Sequence, residues 1–437
     1  MTNDLSSKSS RGGSRRTILK GGAALSTLAA SRIAFPSGAF AQGAGPEVKG
    51  TKLGYIALTD SAPLIIAKEK GLFTKHGLPD MDIAKQASWG ATRDNMALGL
   101  ARNGIDGGHI LRPKVHLYST GLVMQNNQPL PMYNLLNLNE DCQGISVSNE
   151  YKDLKIAKDS SPLKAAFERK KATGKELTAA MTFPGGTHDL WIRYWLAAGG
   201  IDPDSDIKVI TVPPPQMVAN MKVGNMDLFC VGEPWNEQLV NQDIGYTAVT
   251  TGEIWSNHPE KVLGMRADFV DKNPIATRAI LMAVMEAQIW CDKAENKQEM
   301  AEIVSRRQWF GVPVADIIGR IKGDINYGLG RKVNDPDLAM TFWGKNGAAS
   351  YPWKSLDTWF VTENIRWGKF PVNFNIKELV DKTNRSDLWS EAAKALGVAG
   401  APTGDSRGVE TFFDGVKFDP ADPMGYLKSL KIKRAAV

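Results

Sequence analysis

Four short stretches put small or polar residues where a helical pattern begins: Thr59-Asp60-Ser61-Ala62-Pro63, Ser88-Trp89-Gly90-Ala91-Thr92, Pro184-Gly185-Gly186-Thr187-His188 and Val231-Gly232-Glu233-Pro234-Trp235. A helix N-terminus offers free N–H groups and a partial positive charge, so the ligand it favours is an anion. Glycine lets backbone approach that ligand closely. Each turn alone has a plainer reading, with Thr187 as an N-cap and the glycines as a bend. Repetition at four turns tips the balance toward binding. Side chains add donors. Trp89 offers an indole N–H, and His188 can donate at either ring nitrogen. Gln143, in Cys142-Gln143-Gly144-Ile145-Ser146, offers an amide. Lys261, in His258-Pro259-Glu260-Lys261, brings a full positive charge. Singly, these four also read as a core indole, a helix-end histidine, a loop amide and a solvated lysine.

Catalytic chemistry finds little support. The chain has no GxSxG, no HExxH, no Walker loop and no GxGxxG after a strand. His76, His109, His116, His188 and His258 show no HxH or HxxxH spacing, so a metal site would need ligands gathered from far apart. The expectation is a binding protein and not an enzyme, with neither cofactor nor metal. Cys142, Cys230 and Cys291 are too few and too irregularly spaced for a disulfide framework, and they read as buried thiols.

The elements that must position these groups alternate. Strands are expected at Lys52–Leu58, Met81–Gln86, Asp106–Ile110, Gly144–Val147, Leu177–Phe183, Lys208–Val212 and Asp227–Val231. Helices are expected at Ser61–Lys75, Ala91–Leu100, Asp189–Ala198, Gln216–Lys222, Trp235–Asn241 and Pro274–Asn296, the last with Asn273 as its N-cap. Such alternation, with short Gly/Pro turns, predicts α/β architecture. Its turns cluster outside the carboxyl ends of the strands, where ligands bind. Beyond residue 300 the pattern is helix-rich, and Trp309, Trp343, Trp353, Trp359 and Trp367 are expected to pack on a core.

The 437 residues suit two or three domains. The net charge of +6 is concentrated at the start. Residues 1–41 hold Lys8, Arg11, Arg15, Arg16, Lys20 and Arg32 against Asp4 alone, which leaves 47 basic and 46 acidic side chains beyond them. Nothing in that balance calls for nucleic acid. Ser14-Arg15-Arg16-Thr17-Ile18-Leu19-Lys20 resembles a twin-arginine export signal, and Ala39-Phe40-Ala41 has the form of a signal-peptidase site. The expectation is a leader over 1–41 and a soluble periplasmic protein. With Cys142 the first cysteine, no lipid anchor is expected.

At these residues a family resemblance emerges. KLGYIALTDSAPLIIAKEKGLF, KQASWGATRDNMALG, IDGGHIL, GISVSN, TFPGGTHDLWIRYWLAAGGI, VPPPQMVANMKVG, CVGEPWNEQLV and TAVTTGEIWSNHPEK together resemble the nitrate/bicarbonate-binding proteins of ABC transporters, from about Lys52 to Tyr327. The resemblance implies a two-lobed periplasmic-binding-protein fold of type II-like α/β architecture with one anion in the inter-lobe cleft. It implies that residues 50–145 and 250–437 build lobe one with a C-terminal helical extension, and that 146–249 build lobe two. It places the anion against Trp89, Gln143, His188, Gly232 and Lys261, with Pro214 of the triple-proline turn contributing. It also implies an inner-membrane ABC permease as partner, and the protein is expected to be a monomer. Lys261 takes the discriminating position: nitrate binders carry lysine there, whereas bicarbonate binders carry an acid and use calcium. The physics agrees, because nitrate has no proton to donate and suits donors plus positive charge. The alternatives are a receptor for bicarbonate or another small oxyanion, a nitrate sensor, and an exported enzyme.

Overall fold

In the computed structural model, residues 45–437 are described, and the expected leader at 1–41 lies outside them. Ten strands form two five-stranded sheets. β1 (Lys52–Tyr55), β2 (Asp82–Lys85), β3 (Gly107–Leu111) and β4 (Met132–Asn137) belong to the first. β5 (Gln143–Ser148), β6 (Thr178–Met181), β7 (Lys208–Thr211), β8 (Leu228–Gly232) and β9 (Gly245–Thr250) form the second. β10 (Lys261–Arg266) returns to the first. The orders are β2-β1-β3-β10-β4 and β7-β6-β8-β5-β9.

Both sheets follow one rule. β1 runs parallel to β2 and β3, while β10 is antiparallel to β3 and β4. β6 runs parallel to β7 and β8, while β5 is antiparallel to β8 and β9. The reversed strand is, in each case, the first one entered from the other sheet. Two crossings, 138–142 and 251–260, carry the chain between sheets. A strand that enters from the side where its neighbours end must run against them. Lys261 and Gln143 therefore open their strands beside the carboxyl ends of the others: Lys261 pairs with Leu111, and Gln143 pairs with Gly232.

The helices that matter for the site are α1 (Ala62–Glu69), α2 (Trp89–Leu98), α3 (Pro113–Ser119), α4 (Thr187–Ala198), α5 (Trp235–Asn241), α6 (Pro274–Asp292) and α7 (Lys354–Arg366). The expected helix over Ser61–Lys75 breaks at Gly71, whose φ of 68° is a left-handed turn that only glycine adopts cheaply. The helix expected to end at Asn296 stops at Asp292. Asn273 does precede it, but the Asn273 side chain does not cap; its amide donates to the Phe269 carbonyl at 2.8 Å. The Glu47 carboxylate takes the free N–H groups of Ile275 and Ala276 instead. β4, β9 and β10 were absent from the sequence reading. Met132–Asn137 reads MYNLLN, without β-branched residues, and is a strand because burial on the sheet overrides propensity.

Burial forms two clusters. One gathers the first sheet, α1 and α6. The other gathers β5, β6, β8 and α4 with Trp359 and Phe360 of α7 and Phe412, Phe418 and Tyr426 of the tail. The tail thus packs on the second sheet. The start of α7 also reaches the first, because Asp357 takes Arg112 Nε at 2.7 Å and Asn134 from β4. Trp309, Trp343, Trp359 and Trp367 are buried and Trp353 is partly so. Cys142, Cys230 and Cys291 are buried free thiols.

A candidate anion-binding site between the sheets

The four turns singled out in the sequence meet. The Thr59 N–H donates to the Glu233 carbonyl at 2.7 Å, and Trp235 Nε1 donates to the Ala57 carbonyl at 3.1 Å. A Cβ placed on Gly232 would come within 3.4 Å of Asp60 Oδ2, so a side chain there would crowd the same spot. Thr187 Oγ1 donates to Glu260 at 2.7 Å. Each bond joins a turn of one sheet to the other sheet or to the crossing between them.

Lys261 stands at the centre, fully buried. Its Nζ donates to Asp60 Oδ2 at 2.8 Å and abuts Glu260 Oε2. Asp60 Oδ1 in turn meets His109 Nε2 at 2.6 Å. Burial pushes the Asp60 carboxyl up, but the Lys261 ammonium and His109 outweigh that and hold it below the usual carboxylate range. Burial brings the Lys261 amine down to about 8, with Asp60 opposing the shift. At neutral pH the two form a charged pair. His109 is held below the usual imidazole value by burial, against the pull of Asp60.

Trp89 is the first residue of α2, and Ser88 caps that helix by accepting from the Ala91 N–H at 3.0 Å. Its ring lies 5.8 Å from Lys261 Nζ and beside His109. Its indole Nε1 is buried and has no hydrogen-bond partner among the described residues. His188 lies in the first turn of α4. Its Nδ1 meets the Thr182 hydroxyl, which as donor leaves the proton on Nε2. Burial and the nearby Lys261 charge keep the ring neutral, well below its usual pKa. Nε2 is 3.2 Å from Glu260 Oε1 but lacks hydrogen-bond geometry to it. One end of the Gln143 amide meets His258 Nε2 at 3.0 Å, and its buried Oε1 has no partner among the described residues.

Thr187 does not cap its helix. Gly186 occupies the N-cap position without a side-chain bond, and the Thr187 hydroxyl is used on Glu260. Gly185 has a φ of 72°, and a Cβ there would sit 2.7 Å from Asn364 Oδ1 of α7. The glycine pair therefore allows both a left-handed turn and the close approach of α7. Pro214 is buried at the head of a one-turn 3-10 helix, Pro214–Gln216, and no hydrogen bond among the described residues ties its side of the sheet to Lys261. Sequence reading passed over Asp60, His109 and Glu260. Asp60 and Glu260 stood inside quoted motifs, but acids are the wrong sign for an anion site taken alone. Lys114 was also missed: fully buried, it donates to the Trp89 carbonyl at 2.8 Å and lies 3.8 Å over the Phe183 ring.

Two lobes, each built on a mostly parallel sheet with one reversed strand, and a buried polar cluster where they meet, define a bilobed solute-binding protein of the periplasmic type. The NMT1-like family matches residues 44–305, and the chain belongs to it. It is 57% identical over 399 residues to the nitrate/nitrite binding protein NrtA of Synechococcus elongatus, covering 91% of this chain and 89% of that one. It is 47% identical over 398 residues to the bicarbonate-binding protein CmpA of the same species, covering 89% and 88%. The crystal structure of the periplasmic nitrate-binding protein NrtA from Synechocystis PCC 6803 superposes with a TM-score of 0.86 at 58% identity, covering 89% of this chain and all of that one.

Proposed function

We propose that the protein is an extracytoplasmic receptor that captures nitrate, with nitrite as a second ligand, and delivers it to an inner-membrane ABC permease. The observation that carries this reading is the pair of buried ring nitrogens without a hydrogen-bond partner among the described residues, Trp89 Nε1 and His188 Nε2, brought from different sheets to the buried Lys261 ammonium. Unpaired donors in a dry site are costly unless an acceptor joins them. Nitrate is a monoanion that only accepts. The ligand set of this proposal is Trp89, Gln143, His188, Gly232 and Lys261, with Pro214 as an outlying wall. The lobes divide at crossings 138–142 and 251–260, and the anion would bridge them and favour the closed form. The leader 1–41 would take the folded protein to the periplasm by the twin-arginine route, where it acts as a monomer without catalysis.

Calorimetry on the mature protein tests the reading. Nitrate binds and bicarbonate does not, with or without calcium; the reverse preference would overturn the role of Lys261. In Lys261→Glu, nitrate binding is lost, because Asp60 and the new carboxylate would face the anion together. A second reading, bicarbonate, draws on Asp60 and Glu260, acceptors that an O–H of that ion could use. Calcium-dependent bicarbonate binding would establish it.

A further inference from the structure

Glu260 stands one residue before Lys261 and is buried, yet the donor set leaves it without a task. Its Oε1 accepts from Thr187 Oγ1 at 2.7 Å and lies 3.2 Å from His188 Nε2, while its Oε2 abuts the Lys261 ammonium. It therefore touches α4 of one lobe and β10 of the other, at the position where those donors converge.

The charges around it can be counted. Lys261 on β10 supplies one positive charge, and Asp60 on the opposite turn balances it at 2.8 Å. His109 on β3 is bonded to Asp60. His188 on α4 and His258 on the second crossing are kept neutral by burial, and Asp141 on the first crossing is bonded to His258. Arg112 gives its backbone N–H to the Glu260 carbonyl at 3.2 Å, but its guanidinium is engaged by Asp357. Lys114, boxed by Trp89 and Phe183, has no carboxylate in ion-pair range among the described residues, and burial drives it toward the neutral amine. Asp60 and Glu260 share the one Lys261 ammonium, so with both carboxylates ionised this buried triad sums to −1. A bound monoanion would take it to −2, with both surplus charges against one ammonium and away from water. Like charges sharing such a site cannot both remain ionised.

We propose that the anion enters with one proton, and that Glu260 holds it. This inference rests on the anion-receptor reading. Protonation changes Glu260 from acceptor to O–H donor, which an acceptor-only ion requires. Bicarbonate brings the same charge but its own O–H, so the two ions differ in that only nitrate depends on the Glu260 proton as a hydrogen-bond donor.

Titration of nitrate into the mature protein in buffers of different ionisation enthalpy counts the protons. About one proton is taken up per nitrate, and over the pH range in which Glu260 is ionised in the free protein and protonated in the complex the affinity falls by about tenfold per unit rise in pH. In E260Q the uptake and the slope both vanish, so the variant's relative affinity improves as pH rises. Nitrate binding without proton uptake in the wild type overturns the inference and leaves the receptor reading standing. Uptake that persists in E260Q places the proton elsewhere and overturns it too. The wild-type count holds even if E260Q fails to fold. Absence of nitrate binding in the wild type removes the receptor reading and this inference with it.

Discussion

The proposed ligand set divides into groups that are satisfied without a ligand and groups that are not. Lys261 already has Asp60, so its charge is partly used before any anion arrives. Trp89 Nε1 has no hydrogen-bond partner among the described residues. A hydrogen bond to a charged acceptor contributes about 1.5–3 kcal/mol. Trp89→Phe keeps the ring over α3 and β3 but deletes the donor. It weakens nitrate binding roughly ten- to hundredfold by calorimetry. The melting temperature of the free protein shifts little, because the deleted N–H had no partner, while the nitrate-induced rise in melting temperature shrinks. An equal loss in the free protein would mean that Trp89 serves packing alone. The same contrast explains what the sequence concealed. Trp89, His188 and Lys261 are legible because a donor type sits at a recognisable turn. Asp60 and Glu260 are not, because their meaning depends on a lysine that the fold brings from 201 residues away in one case and on an internal charge balance in both.

The decisive elements are the two crossings. They hold each other: the Asp141 N–H donates to the His258 carbonyl at 3.0 Å, and Asp141 Oδ1 accepts from the His258 ring at 3.1 Å. Arg407 of the tail reaches Glu140 at 2.7 Å and the Asn257 carbonyl at 2.8 Å, fastening one crossing to the other. Burial raises Glu140 and Asp141 to about 8 despite Arg407. A raised carboxyl contributes stability that is complete below its unfolded pKa, near 4, and is lost as pH rises through the folded value. Urea midpoints should therefore fall between about pH 5 and 8, and Asp141→Asn should flatten part of that fall. An identical slope in the variant would show that Asp141 does not titrate in this window. Strand–helix alternation was readable over 52–110 and 177–241 because period and turn residues agree there. The crossings were not, since short segments with left-handed Asp141 and Cys142 carry no periodic pattern and take their form from partners far along the chain.

At the scale of the molecule, α7 and the tail limit how the lobes can part. One end of α7 is anchored on the first lobe, where Asp357 takes Arg112 at 2.7 Å and accepts from Asn384 at 2.8 Å, all three side chains buried. Removing one member of such a buried pair costs about 3–5 kcal/mol. Burial pushes Asp357 up, but Arg112 and His116 overcome this and hold it below the usual carboxylate range, so the pair stays charged. The far end of α7 meets the second lobe through Asn364, which donates to the Gly185 carbonyl at 3.1 Å. A neutral hydrogen bond is worth about 1 kcal/mol. Trp359 of α7 also stacks on Trp191 of α4 at 4.8 Å between ring centroids, so α7 itself stays on the second lobe. If the lobes separate when the anion leaves, the lone Asn364 bond, three residues before His188, gives first. Hydrogen exchange with and without nitrate should then show faster exchange at residues 185–190 in the free protein, with the Asp357 turn of α7 equally protected in both states. Loss of protection at both ends would mean that the tail releases as a unit. Equal protection of 185–190 in both states would mean that the anion enters without parting the lobes at α4.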